Sequence, residues 1–196
     1  MRAPILAVFA VAACEPTITS GSYDCGTQEL CPTGYVCSGA DHTCVDPIVA
    51  EPFACDPSEL HEPDDAAAQA FALPTLGCIS NTYIKTGCLA AGDTANWSKF
   101  ATPSNCTAVG VKASIAFPIA FQPLGLQLWD LAANQMIATD DTCPSGVVAA
   151  GDTQRCLTQA LESSKTYGIV VVPNGPDCGG NCNFNRYNFT LNLALP

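Results

Sequence analysis

The sequence predicts an all-β protein: an antiparallel β-sandwich, jelly-roll-like, behind a small disulfide-rich N-terminal module. Three observations carry this. From residue 71 onward apolar residues recur at every second position in short runs, the period of a half-buried strand. Clusters rich in Gly, Asn and Asp separate those runs, as turns require. Before them, Cys25, Cys31, Cys37 and Cys44 crowd a segment with almost no aliphatic side chains. A segment that small cannot build a core, so cross-links must hold it.

The chain opens on Arg2 and a short apolar leader, Ile5 to Ala13, that runs into Val11-Ala12-Ala13-Cys14. The leader is too short to span a bilayer, which takes about 20 residues. Small residues ahead of a cysteine suit a lipoprotein signal peptidase. Residues 1–13 are therefore expected to be a signal peptide and Cys14 the lipidated first residue of the mature chain. Residues 14–24 would be a tether, and two acyl chains would anchor it stably. The cysteine count agrees. Of 13 cysteines, giving Cys14 to lipid leaves Cys25, Cys31, Cys37, Cys44, Cys55, Cys78, Cys88, Cys106, Cys143, Cys156, Cys178 and Cys182. That even set can pair completely, as in an oxidising compartment. The expected location is extracytoplasmic and lipid-anchored. Glu15 stands where some lipoproteins retained at the inner membrane carry aspartate, which favours the outer membrane or cell surface.

Residues 25–44 form the cysteine-rich module. Its spacings lack the close cysteine pairs of a zinc ribbon, and His42 alone is no ligand set, so disulfides are expected within the four. Tyr23 and Tyr35 are expected to be partly exposed. Residues 45–61 read as an acidic, proline-stiffened linker: from Asp46 to Ala66 the chain holds seven acids, four prolines and no Lys or Arg. Such a charge run is by default a solvated spacer.

Residues 62–196 carry the sandwich. Val109, Val111, Ala113, Ile115 and Phe117 alternate, as do Leu124, Leu126 and Leu128, then Tyr187, Phe189, Leu191, Leu193 and Leu195. Ile169-Val170-Val171-Val172 is a β-branched run suited to a strand buried on both faces. Turns are expected at Ala91-Gly92-Asp93, Asp140-Asp141-Thr142, Asn174-Gly175-Pro176 and Gly179-Gly180-Asn181. Only Asp64 to Ala70 favours a helix. Eight or nine strands are expected, with local bridges at Cys143–Cys156 and Cys178–Cys182.

The segment Cys31-Pro32-x-Gly34-Tyr35-x-Cys37 resembles small epidermal-growth-factor-like extracellular knots, though four cysteines are fewer than the six of a full module. Residues 55–196 resemble the bacterial pre-peptidase C-terminal domain. The carrying motifs, in order, are Glu62-Pro63-Asp64-Asp65-Ala66-Ala67-Ala68, Gly92-Asp93-Thr94-Ala95-Asn96-Trp97-Ser98-Lys99-Phe100, Leu126-Gln127-Leu128-Trp129-Asp130, Tyr167-Gly168-Ile169-Val170-Val171 and Tyr187-Asn188-Phe189. This chain departs from that family in its eight cysteines over the segment, and it is expected to stand free of a catalytic domain.

That resemblance implies a calcium site at Glu62, Asp64, Asp65, Asp93 and Asn96. The chemistry is sensible in its own right, because calcium takes six to eight hard oxygen ligands and flexible carboxylates supply them. The alternative is a solvated acidic linker.

Several classes are disfavoured. A formal charge of −11 argues against nucleic acid as partner. Two histidines, His42 and His61, and no nucleophile motif argue against an enzyme. Cys178-Gly-Gly-Asn-Cys182 has three residues between its cysteines, unlike a redox pair. Trp97, Trp129 and Tyr187 are either core or a sugar-binding platform. The leading expectation is a membrane-anchored, non-catalytic binding module. It would present polysaccharide or protein with the loop tips at Asp140-Asp141, Asn174-Gly175 and Asn181. The alternatives are a structural or assembly lipoprotein of the envelope and, more remotely, a hydrolase accessory or inhibitor.

Overall fold

The computed structural model describes residues 19–25, 30–39, 42–47, 55–56, 59, 61–79, 82–90, 92–106, 108–119, 121–143, 148, 152–175 and 185–194. Cys14, Cys178, Cys182 and Asn181 lie outside these residues. Among the described residues the structure is all-β apart from one 3-10 turn, Ala67–Gln69. No described helix is long and apolar enough to cross a membrane.

The N-terminal module pairs β1 (Val36–Cys37) with β2 (Cys44–Val45). Disulfides Cys25–Cys37 and Cys31–Cys44 cross it, and these cysteines pack with half-buried Tyr35 into its core cluster. Tyr23 is 56 % exposed.

Two five-stranded sheets make the sandwich. One runs β4 (Tyr83–Leu89), β12 (Asn185–Ala194), β6 (Val109–Pro118), β10 (Asp152–Leu161) and β9 (Asp141–Thr142). The other runs β3 (Phe71–Ala72), β5 (Asn96–Ala101), β11 (Thr166–Pro173), β7 (Leu124–Asp130) and β8 (Gln135–Thr139). Every pairing is antiparallel except β3 with β5. The alternating residues of β6, β7 and β12 face inward. Val111, Ile115, Leu124, Leu126, Leu128, Leu191 and Leu193 are fully buried in one core shared by both sheets, the arrangement a sandwich needs to hide two apolar faces.

The β-branched run falls on β11, the central strand of its sheet, where Ile169, Val170 and Val171 are all buried. Val170 points outward and sits between Trp97 and Gln127 in register. The strand total of ten exceeds eight or nine because β4, β8 and β10 are weakly patterned. Of the ten residues of β10 only Leu157 is buried; polar side chains occupy both of its faces, and pairing with β6 decides its conformation.

The acidic linker is not a free-standing spacer along its whole length. Cys55 is bonded to Cys88 on β4, and Glu59 pairs with Arg186 on β12 at 3.3 Å. Disulfides Cys78–Cys106 and Cys143–Cys156 pin two further loops.

Candidate cation site at the sandwich rim

The five residues named from sequence come from two loops that the fold brings together. One is the 62–65 segment ahead of the 3-10 turn; the other runs from 90 to the start of β5. The Trp97 amide donates to the Asp64 carbonyl at 2.8 Å, joining the two. Carboxylate oxygens of Glu62, Asp65 and Asp93 lie within 4.8 Å of one another. Asp93 is held by an amide-capped turn: its Oδ2 accepts from the Ala90 amide at 2.7 Å, while its own amide donates to the Ala90 carbonyl at 3.1 Å. Glu62 Oε2 accepts from the Asp64 amide at 3.3 Å.

Asp64 is the buried member, 2 % exposed. Burial pushes its carboxyl up to about 7, and the charge of Glu62 adds to this, as do Asp65 and Asp93, while Lys85 works against it. Burial also raises Glu62, with Asp93 and Asp65 contributing and the Asp64 amide opposing. Like charges this close disfavour each other's ionised form.

Asn96 is 7 % exposed. Its Nδ2 donates to the Cys88 carbonyl at 2.9 Å and to Tyr187 Oη at 3.0 Å. With both donors committed, the amide oxygen is left as a bare acceptor. Asn96 Oδ1 and Asp64 Oδ1 are both buried and have no hydrogen-bond partner. Buried acceptors without partners cost about 1–3 kcal/mol each, and a cation would satisfy them. The Tyr187 phenol is pushed up by burial, with Asp64, Asp93 and Glu62 adding to the rise, which places its hydroxyl in the same acidic field. The structure clusters three of the five, Glu62, Asp65 and Asp93, and leaves Asp64 and Asn96 on the same loops outside that cluster; an all-oxygen set of this kind suits a hard divalent cation.

The sequence missed Lys85. It holds an inward position on β4, its Nζ 4.3 Å from the Phe71 ring centroid, and burial lowers its ammonium to about 8 with Asp64 pulling it back. A lone lysine at the parity of Tyr83, Gly87 and Leu89 was the available signal. His61 also packs on Phe71, its ring 5.0 Å from that of Phe71.

The remaining candidates separate. Tyr187 is core and belongs to no exposed platform. Trp97 and Trp129 are half-buried on the outer face of their sheet, 5.4 Å apart. Gly168 lies opposite Trp129 in register, and an added Cβ there would meet Trp97 at 3.1 Å and Leu131 at 3.0 Å, so Trp97 and Leu131 fill the space above the glycine. Asp140 turns inward, accepting from the Leu126 amide at 2.8 Å and pairing with Arg155 at 3.6 Å. The Asn174 amide donates to the Pro123 carbonyl. These two loop-tip residues brace turns.

The chain matches no known protein-family profile. It matches none of the curated proteins either. Among solved structures it is similar to the pre-peptidase C-terminal domain of a collagenase from Bacillus anthracis, with 14 % identity and a TM-score of 0.39. The alignment covers 69 % of this chain and 100 % of that one.

Proposed function

We propose that this chain is a non-catalytic, extracytoplasmic binding module anchored by lipid on Cys14, whose sandwich is braced by calcium and presented to polysaccharide or to an envelope protein. The observation that carries the calcium part is the cluster of Glu62, Asp65 and Asp93 carboxylates, with two buried, unpartnered acceptors, Asp64 Oδ1 and Asn96 Oδ1, on the same two loops. Five side chains and their second carboxylate oxygens can approach the six to eight oxygens that calcium takes, water completing the shell. Five disulfides support work outside a reducing cytoplasm. A binding role is supported by how the histidines are used. His42 packs on Phe121 and His61 on Phe71, so both serve packing.

Thermal unfolding with calcium and with chelator tests the reading. Extracellular calcium modules bind at roughly 0.1–1 mM, and a hundredfold excess of ligand over Kd stabilises by about 2.7 kcal/mol. For a chain of this size that is a rise of roughly 5–10 °C. Asp93→Ala should remove most of the rise. An unchanged Tm at 10 mM calcium would end the calcium reading. The anchor is tested separately by palmitate labelling, which Cys14→Ser should abolish.

A further inference from the structure

The outer face of the β4–β12–β6–β10–β9 sheet is a regular surface that the cation site leaves without a role. Its outward residues line up across strands in rows: Thr86, Asn188, Ala116 and Gln154; then Ile84, Thr190, Ser114, Cys156 and, on the edge strand β9, Asp141; then Asn192, Lys112 and Thr158; then Ala194, Gly110 and Ala160. The last row has almost no side chains, and a depression of about 390 Å³ lies over it; a second, of about 360 Å³, adjoins it over the Ser114 and Lys112 rows, and both are lined by Lys112 and Thr158.

The chemistry of this groove is unusual for its chain. A protein with 18 acids and a charge of −11 places no carboxylate among the groove's lining residues and only one ammonium, Lys112. Solvent-facing sheet surfaces ordinarily carry mixed charges, which also discourage unwanted association. Inside the edge carboxylate of Asp141, the lining offers hydroxyls and an amide instead: Thr82, Ser114, Thr158 and Thr190, with Asn192. They are partly ordered already, since Ser114 Oγ and Thr190 Oγ1 lie 2.7 Å apart and Gln154 Nε2 donates to Ser114 Oγ at 3.3 Å.

We propose that this groove binds a neutral polysaccharide chain running across the strands. Strands about 4.8 Å apart, a spacing comparable to a sugar ring, set Thr190 beside Ser114 in one row and Asn192 and Thr158 on either side of Lys112 in the next, and these hydroxyls and amides can donate to and accept from sugar hydroxyls. Lys112 adds donors at the centre. A polyanionic glycan would meet a repulsive net field and one countercharge. A protein partner would find none of the large aromatic anchors on which protein interfaces rest. This deepens the reading of the chain as a binding module.

Native affinity electrophoresis of the full chain in gels holding hydroxyethylcellulose, dextran or galactomannan tests it, with polygalacturonate as the charged comparison. At least one neutral polymer should retard the wild-type chain. Lys112→Ala and Ala160→Trp, which remove the central donor and fill the dip, should each weaken retardation about tenfold or more; Trp129→Ala on the opposite sheet should not. Thr158→Val, which removes one hydroxyl, serves if Ala160→Trp does not fold. No retardation by any neutral polymer, retardation by polygalacturonate alone, or full retardation in the groove variants would overturn the assignment. Calcium melting on the same samples separates the two readings. A calcium shift without glycan retardation sinks the groove and leaves the braced module standing.

Discussion

Asn96 shows how one side chain ties the cation site to the core. Its amide nitrogen serves Cys88 on one strand and Tyr187 on another, and Tyr187 in turn leans over Gly87, where an added Cβ would lie 2.5 Å from the phenol ring. An aspartate could not make both donations. Asn96→Asp should therefore destabilise the calcium-free chain by about 1–3 kcal/mol, the cost of buried groups losing partners. With calcium the added charge should recover part of that loss. Thermal unfolding at pH 7.5 with chelator and with calcium measures both. Equal losses in the two conditions would show that Asn96 does not face a cation. At this scale the acids were legible because their residue types announce the chemistry. Lys85 and the unpaired Oδ1 atoms were not, because burial and hydrogen-bond direction exist only once two loops meet.

The strands divide by how they are patterned. Alternation marks β6, β7 and β12 because each has one apolar face against the core, and the valine run marks β11 because Trp97 and its neighbours cover the outer side as well. β10 has no such signature, since the sheet context overrides weak local preference. The Cys55–Cys88 bond was equally hidden: spacing reveals that cysteines can pair, not which loops meet. That bond closes a loop of 33 residues, and beside it Arg186 links Glu59 to the Gly39 carbonyl at 2.9 Å. Loop-closure entropy for that length is about 3–4 kcal/mol. The double variant Cys55→Ser/Cys88→Ser should lose roughly that much in denaturant unfolding, with an increase in proteolysis confined to residues 45–61. A loss under about 1 kcal/mol would mean that the linker docks without the bridge.

Across the whole molecule, the cysteine module and the sandwich are joined by more than a linker. His42, 9 % exposed, sets its ring 4.0 Å from that of Phe121. Burial drives its imidazole down to about 4, and the Arg186 guanidinium pushes the same way. Between pH 6.5 and about 4 the unfolded chain therefore binds a proton that the folded chain refuses. The contribution of this contact is complete above pH 6.5 and is lost as pH falls toward 4. Asp64 acts in the opposite sense, since its raised carboxyl favours the calcium-free fold at low pH and that advantage fades as pH climbs to about 7. A bare pH profile would mix the two. His42→Asn isolates the first: it cannot titrate, and asparagine tolerates the left-handed backbone that His42 adopts at φ 57°. The wild-type Tm minus the variant Tm should be constant above pH 6.5 and shrink steadily down to pH 4. A difference that stays flat over that range would show that the module's seat on the sandwich does not depend on a neutral His42.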